Sequence, residues 1–110
     1  MKTMNFENLV IMHRINNNTL YMSNALAGEV GEIANCVKKL EIIKHLEDND
    51  IEPNITFEEV EVKLVEELGD ALFYLTALAL HYGCPLEKIM VNQAGKLNQQ
   101  SIDYGRNFLK

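Results

Sequence analysis

Apolar residues recur at helical spacing along most of the chain and divide it into four predicted helices. The first spans about residues 5–15 and ends at three asparagines, 16–18, because Asn favours turns and caps over helix interiors. The second spans about 19–46, and the fourth runs from about 85 to 97 or a few residues beyond. The expected inward side of the fourth helix comprises Leu86, Ile89, Met90 and Leu97, and the docking points expected in the polar tail are Ile102, Tyr104, Phe108 and Leu109. The sequence shows no strand-like alternation of apolar and polar residues. The pattern therefore predicts an all-α fold.

The third helix has clear signals at both ends. Thr56 is a predicted N-cap, and Glu59 three residues later completes a capping box. Gly83 fits the position just after the helix, and Pro85 suits the first turn of the next helix. The second and third helices are both long and are joined by a ten-residue loop, 47–56. We therefore expect an antiparallel hairpin, which is the basis of a helical bundle.

Two acidic pairs occupy this hairpin. Glu29 and Glu32 lie in the second helix, and Glu67 and Asp70 lie in the third. Residues three apart share one face of a helix, so each pair projects side by side. Glu32 is 15 residues before the loop and Glu67 is 11 residues after it, which places both pairs near the same level of the hairpin. We expect the four carboxylates to converge on one site.

Four converging carboxylates are unfavourable unless a cation lies among them. Two carboxylates about 4 Å apart repel by roughly 1 kcal/mol in water, and by several times more in a partly dry site. Di-iron bundle sites use Glu-x-x-His pairs, and none of the three histidines has an acid three positions before it. An all-oxygen site instead suits Mg²⁺ or Mn²⁺. Since Mg²⁺ commonly binds phosphates and positions a water nucleophile, the donor set points to hydrolysis of a polyphosphate.

Four further side chains fit a phosphate-containing substrate. Tyr74 lies one helical turn past Asp70, although it would serve equally well as a core aromatic residue. Asn92 and Lys96 are four residues apart on the last helix and offer an amide and a cation on one face. Lys39 follows the first acidic pair. A solvated surface position is an equally good interpretation of each lysine before any relatives are considered.

Composition narrows the class of protein. The 110 residues are enough for a single domain, 1–110, with a real core. The net charge of −6 argues against nucleic-acid polymers, which need a basic surface, but not against a nucleotide that a metal bridges to the acids. Cys36 and Cys84 have no metal-ligand spacing and are expected to be reduced thiols. We expect no signal peptide, no membrane span and a cytoplasmic location.

The acidic motifs and the basic and polar residues around them occur in a recognisable order. They are Gly28-Glu29-Val30-Gly31-Glu32, Val37-Lys38-Lys39, Glu66-Glu67-Leu68-Gly69-Asp70-Ala71-Leu72-Phe73-Tyr74-Leu75, Asn92 and Lys96-Leu97. This combination resembles the MazG-type nucleoside triphosphate pyrophosphohydrolases of the all-α pyrophosphohydrolase superfamily, which is marked by paired ExxE and ExxD motifs. The resemblance covers about residues 20–98. It implies an oligomeric helical bundle that uses Mg²⁺ to hydrolyse nucleoside triphosphates to the monophosphate and pyrophosphate.

The resemblance also implies roles for the individual residues. The metal ligands and catalytic residues would be Glu29, Glu32, Glu67 and Asp70, and one of the glutamates would orient the attacking water. Lys39 and Lys96 would contact phosphate, while Tyr74 and Asn92 would help to hold the nucleotide. Base preference is not readable from these motifs, because the family also includes enzymes for dUTP, dCTP and phosphoribosyl-ATP.

Three features depart from the family pattern. The 34 residues between Glu32 and Glu67 exceed the usual number, which lengthens the tip of the hairpin. Asn35 stands where relatives often carry another acid. Gln100 and its neighbours replace an Arg that commonly follows the Lys-Leu pair, which puts phosphate contacts there in question.

Two interpretations of function follow. The first is a Mg²⁺-dependent pyrophosphohydrolase that clears unwanted nucleoside triphosphates or adjusts nucleotide pools. The second is a catalytically weak bundle that binds a nucleotide or a protein partner. In either case one hairpin and two short helices cover their apolar stripes poorly, so the sequence predicts a homodimer or homotetramer.

Overall fold

The computed structural model describes residues 1–14 and 18–103 and confirms the four predicted helices. They are α1 (Thr3–His13), α2 (Thr19–Asp48), α3 (Phe57–His81) and α4 (Leu86–Asp103). The residues described include no strand, so the fold is all-α. None of the helices in this part of the chain is long and apolar enough to cross a membrane.

The helix ends follow the local signals in the sequence. Thr56 precedes α3, and its Oγ1 accepts a hydrogen bond from the backbone N–H of Glu59 at 3.1 Å. Asn18 precedes α2, and its Oδ1 accepts from the backbone N–H of Tyr21 at 3.1 Å. Gly83 follows α3 with a φ of +70°, a left-handed conformation that glycine adopts without steric cost. The predicted cap at Thr56 and the predicted stop at Gly83 are both confirmed.

The core of the molecule is the hairpin of α2 and α3, which holds two separate apolar clusters. The loop-end cluster is built from Cys36, Ile43 and Val60, with Leu40 and Leu64 packed against it. The open-end cluster is built from Val10, Met22 and Ala77, with Phe6, Phe73 and Leu78 packed against it. Val10 and Phe6 belong to α1, which therefore closes the open end of the hairpin.

The fourth helix buries no residue. Leu86, Ile89, Met90 and Leu97 were the predicted inward side, but Leu86 is only half-buried and the other three are exposed. That prediction is wrong for the single chain because α4 packs chiefly against the short helix α1 rather than against the hairpin. Ile102, a predicted docking point, is also exposed. The other three predicted docking points, Tyr104, Phe108 and Leu109, lie outside the described residues.

A buried carboxylate joins α1 to α4. Glu7 is only 9% exposed, and its Oε2 accepts a hydrogen bond from the backbone N–H of Leu86 at 3.0 Å. This N–H belongs to the first turn of α4, where helical backbone groups have no partner within the helix. A negative charge is also favourable at the positive end of a helix. Glu7 thus acts as an N-cap supplied from 79 residues away.

We expect Glu7→Ala to lower the free energy of unfolding by about 1–2 kcal/mol, because it leaves a helix-terminal N–H without its partner. Glu7→Gln keeps an acceptor oxygen and should lose less. Glu41→Ala, at an exposed position of α2, is the control and should stay within about 0.5 kcal/mol of the parent protein. Urea denaturation of the three variants measures the effect. Equal losses for Glu7→Ala and Glu41→Ala would show that the capping contact does not stabilise the fold.

Candidate active site

The contact surface between α2 and α3 is a row of buried and half-buried residues spaced three or four apart, here called the seam. On α2 it comprises Met22, Ala25, Glu29, Ile33, Cys36, Leu40 and Ile43, and on α3 Val60, Leu64, Glu67, Ala71, Tyr74 and Leu78. Such spacing keeps one stripe of each helix facing its neighbour. All but three members are aliphatic, sulfur-containing or alanine side chains. The exceptions are Tyr74 and, in the middle of the seam, the two glutamates.

The middle of the seam holds a cluster of three carboxylates. One oxygen from each of Glu29, Glu67 and Asp70 lies within 4.8 Å of the others. Glu67 is 5% exposed, Glu29 is half-buried and Asp70 is exposed, so the cluster opens towards solvent on the side of Asp70. The two apolar clusters lie on either side along the hairpin, and they fix the level at which α2 and α3 face each other.

Glu32, the fourth predicted acid, lies outside this cluster. The seam continues from Glu29 to Ile33, four residues on, so Glu32 is turned to the flank of α2 and is exposed. Its charge still acts on the site, because it is one of the groups that raise the pKa of Glu29. The structure therefore brings together three of the four predicted acids and leaves Glu32 beside them.

The environment of the cluster shifts the pKa values of its two glutamates in opposite directions. The pKa of Glu29 is raised, first by a side-chain hydrogen bond with Glu67, next by burial, and then by the negative charges around it. The pKa of Glu67 is lowered, first by Lys63 and then by the same bond with Glu29. Two ionised carboxylates contain no donor, so that bond exists only when one of them carries a proton. Because the pKa of Glu29 is the one that is raised, folding favours the protonated form of Glu29 over that of Glu67.

Lys63 is a member of the site that the sequence analysis missed. Its Nζ lies 2.9 Å from Glu67 Oε1 and 3.9 Å from Glu66 Oε2. The signal in the sequence is the spacing of Lys63 and Glu67 four apart on α3, which places opposite charges on one helix face. That spacing is common on solvated helices, and only the burial of Glu67 distinguishes this pair from a surface ion pair.

The three carboxylates fit a divalent cation. Glu29 Oε2 is buried and has no hydrogen-bond partner among the described residues. Oxygens bound to one Mg²⁺ at about 2.0–2.1 Å lie at most about 4.2 Å apart, so oxygens within 4.8 Å of one another need to move by only a fraction of an ångström. A cation there would supply the missing partner of Glu29 and neutralise the mutual repulsion of the acids.

A small cavity adjoins the seam at the open end of the hairpin. It has a volume of about 140 Å³ and is lined by His13, Arg14, Tyr21, Met22, Phe73, Tyr74 and Ala77. The rings of Tyr21 and Tyr74 meet edge to face with centroids 6.4 Å apart. The pKa of Tyr74 is raised, first by a hydrogen bond with Tyr21, then by burial, and more weakly by the charges of acids that include Glu29 and Asp70. Tyr74 therefore connects this cavity to the acid cluster.

The other predicted substrate residues do not join the cluster within one chain. Lys39 is exposed and lies ten residues beyond Glu29, a rise of about 15 Å along α2. Lys96 is exposed on α4. Asn92 lines a different and larger cavity of about 450 Å³ between α1 and α4, which none of the three clustered acids lines. Arg14, which lines the Tyr21–Tyr74 cavity, is a second basic side chain that was not predicted from the sequence.

Three helical glycines flank the acids without touching another part of the described chain. A Cβ atom built on Gly28, Gly31 or Gly69 would meet nothing within 4 Å. Close packing of α2 on α3 is therefore not the reason for glycine at these positions. The space beside the acids is open to a ligand or to a second copy of the chain.

An all-α hairpin whose contact surface holds a carboxylate cluster defines a class of proteins suited to divalent cations and phosphates. A family model described as the MazG nucleotide pyrophosphohydrolase domain matches residues 17–101. The chain therefore belongs to the MazG family, whose members are nucleotide pyrophosphohydrolases that typically depend on a divalent metal ion. The match confirms the resemblance indicated by the acidic motifs. Neither the curated proteins nor the solved structures compared with the chain include a significant match.

We expect Glu29→Gln to raise the stability of the metal-free protein at neutral pH. The pKa of Glu29 is raised on folding, so the folded protein favours the protonated form of this side chain. The stability that this form contributes is present below pH about 4.5 and is lost as the pH rises through the folded-state pKa. At neutral pH the parent protein lacks this contribution. The amide keeps the protonated shape at every pH, so its advantage should disappear as the pH approaches 4.5.

Glu67→Gln is the matched comparison. The pKa of Glu67 is lowered on folding, chiefly by Lys63, so its charged form contributes stability above its ordinary pKa and loses it as the pH falls. This variant should therefore be less stable than the parent at neutral pH. Thermal denaturation in EDTA between pH 4 and pH 8 tests both. A loss of stability at pH 7 in Glu29→Gln would contradict a raised pKa for Glu29.

Proposed function

We propose that the protein hydrolyses nucleoside triphosphates to the monophosphate and pyrophosphate in a Mg²⁺-dependent reaction, with Mn²⁺ as an alternative metal, and that residues 1–110 form one helical domain. The observation that carries the proposal is the cluster of Glu29, Glu67 and Asp70, in which Glu29 Oε2 is buried without a partner. Membership of the MazG family supplies the class of reaction. Nucleic-acid polymers and membranes are not proposed as partners.

Each acid has a distinct position from which to act. Glu67 is fixed by burial and by Lys63, and Glu29 faces it across the seam, so these two carboxylates would hold the metal from opposite helices. Asp70 is exposed and would bind at the solvent side, where the triphosphate enters. Glu32 lies at the same level and would complete the set or orient the attacking water. The bound Mg²⁺ would polarise the phosphoryl group and lower the pKa of a water.

The cavity beside the seam is the proposed nucleoside site. Its volume of about 140 Å³ is close to that of cavities that hold a single six-membered ring. Tyr21 and Tyr74 offer aromatic surfaces for a base, while Arg14 offers a guanidinium suited to phosphate. The position of the cavity next to the acids would direct the phosphate chain of a bound nucleotide towards the metal.

An oligomer is part of the proposal because the hairpin has an exposed apolar side. Val65, Leu68, Leu72 and Leu75 form a second stripe on α3, one residue on from the seam, and Val30 and Val37 do the same on α2. Because the two helices are antiparallel, a residue one position after the seam on α2 and one position after it on α3 lie on the same side of the hairpin. The two exposed stripes are therefore neighbours. A contiguous apolar face of this kind is typical of an association surface. We propose a homodimer or homotetramer that buries it.

In the proposed oligomer, α4 would pack against a second copy of the chain and contribute to its active site. Asn92 and Lys96 project from a helix that lies against α1 and has an uncovered apolar side. Packing of α4 against a second copy would bury Ile89, Met90 and Leu97, and it would bring Asn92 and Lys96 to an acid cluster. Lys39, Asn92 and Lys96 are proposed to contact phosphate, or the sugar next to it, in that assembly.

We expect Glu29→Gln, Glu67→Gln and Asp70→Asn each to lower turnover by orders of magnitude, because each amide removes a charge that holds the metal and the attacking water in place. Glu32→Gln should also lower it. Lys96→Ala should raise KM more than it lowers kcat if Lys96 grips phosphate equally in the ground and transition states. The measurement is pyrophosphate release from a panel of canonical and modified nucleoside triphosphates, with and without Mg²⁺.

Outcomes of this assay separate the proposed enzyme from its alternative. Saturable nucleotide binding with no pyrophosphate release from any substrate would support a catalytically weak binding bundle. Full activity in Asp70→Asn would exclude the acid cluster as the catalytic site. Glu61→Gln, which removes one charge from α3 away from the seam, is the matched control and should keep parental activity.

We expect light scattering at micromolar concentration to give the mass of two or four chains rather than 12.5 kDa. Leu75→Glu places a charge on the exposed apolar stripe and should shift the mass towards one chain. Ile42→Glu, at an exposed position of α2 one residue before the seam and so on the other side of the hairpin, is the control and should leave the assembly intact. A parental mass of 12.5 kDa would contradict association.

A further inference from the structure

An ammonium group already lies against the proposed metal ligands. Lys63 Nζ is 2.9 Å from Glu67 Oε1, and the Lys63 side chain is 58% exposed whereas that of Glu67 is 6% exposed. The pair therefore has one buried partner and one that reaches in from solvent. Glu66 lies 3.9 Å from the same nitrogen, and the charge of Glu32 also acts on Lys63.

The other acids of the cluster lack such a partner. Salt bridges in the described part of the chain involve only Lys63, and none reaches Glu29 or Asp70. One positive charge thus offsets part of a negative site that includes Glu29, Glu67 and Asp70, with Glu32 beside it. A buried carboxylate without a counter-charge is strongly unfavourable, so Lys63 makes the metal-free arrangement tolerable.

We propose that Lys63 is the resident counter-cation of the metal-free site and that a divalent cation must displace it from Glu67. This inference rests on the proposed metal site. Glu67 Oε1 cannot keep a 2.9 Å contact with an ammonium and also approach a metal at about 2.0–2.1 Å without bringing two positive charges together. Lys63 yields because its long flexible side chain is mostly in solvent and moves at little cost.

The need to displace Lys63 makes the site selective for cations of higher charge. A monovalent ion carries the same charge as the ammonium that it would replace, so the exchange brings almost no Coulomb gain. A divalent ion interacts twice as strongly with each carboxylate and can outcompete the lysine. Lys63 therefore sets the affinity of the site for metal and favours divalent over monovalent ions.

The test is Mn²⁺ binding by isothermal titration calorimetry, without nucleotide, to the parent protein and to Lys63→Met. Methionine has a similar unbranched shape and no charge, so removing the competitor should tighten Mn²⁺ binding by roughly three- to tenfold. Lys44→Met removes the same charge from α2 at a position about 22 Å along the helix from Glu29, and it should change the affinity by less than about twofold.

Metal-free stability provides a second readout. Lys63→Met should melt at a lower temperature than Lys44→Met in EDTA, because Glu67 loses its counter-charge, and saturating Mn²⁺ should narrow the difference. Lys63→Gln replaces Lys63→Met in both measurements if the methionine variant does not fold. It removes the same charge and keeps a polar side chain, so the same tightening is expected.

Each outcome decides the matter. Tighter Mn²⁺ binding in the Lys63 variant than in Lys44→Met supports displacement. Equal or weaker binding in the Lys63 variant would overturn it and show that Lys63 instead holds Glu67 in place for the metal. Absence of Mn²⁺ binding in all the proteins, parent included, would remove the proposed metal site and this inference with it.

Discussion

The constraint on which the structure depends is the burial of two glutamates in the contact surface between α2 and α3. Glu29 and Glu67 hold seam positions where helix packing favours apolar side chains, and their repulsion acts to separate the two helices. Apolar packing on either side opposes this, through Ile43 and Val60 at the loop end and Met22 and Ala77 at the open end. The hairpin is therefore held by apolar packing at its two ends and carries its buried carboxylates at the centre, which is where a cation would bind.

The same seam gives the hairpin two unlike sides. One residue before the seam, α3 carries Lys63, Glu66 and Asp70, so the acid cluster opens on a charged side. One residue after it, α3 carries an apolar stripe that includes Leu68 and Leu72 and remains exposed in the single chain. Because the helices are antiparallel, α2 likewise has Glu32 and Lys39 on the charged side and Val30 and Val37 on the apolar side. The proposed metal site and the proposed association surface of the hairpin therefore lie on different sides of it.

The helices outside the hairpin are held by fewer interactions. α1 contributes Val10 to the open-end cluster, while α4 buries nothing and is tied to α1 through Glu7 and the first turn of the helix. Most of the stability of a helix in a protein comes from packing of its apolar face, and the apolar face of α4 is exposed in the single chain. In the proposed assembly, the position of α4, and with it that of Lys96, would therefore change more than the position of the acids.

The sequence alone determined the four helices, the cap at Thr56, the stop at Gly83 and the level at which the acidic pairs meet, because these depend on local spacing and on chain length between elements. It did not determine that the seam passes from Glu29 to Ile33 rather than to Glu32, since both spacings are helical and only packing selects one. Nor did it identify Glu7, whose partner is 79 residues away, or Lys63, whose spacing from Glu67 is ordinary on exposed helices. Burial separates these residues from their solvated equivalents, and burial is a property of the tertiary structure.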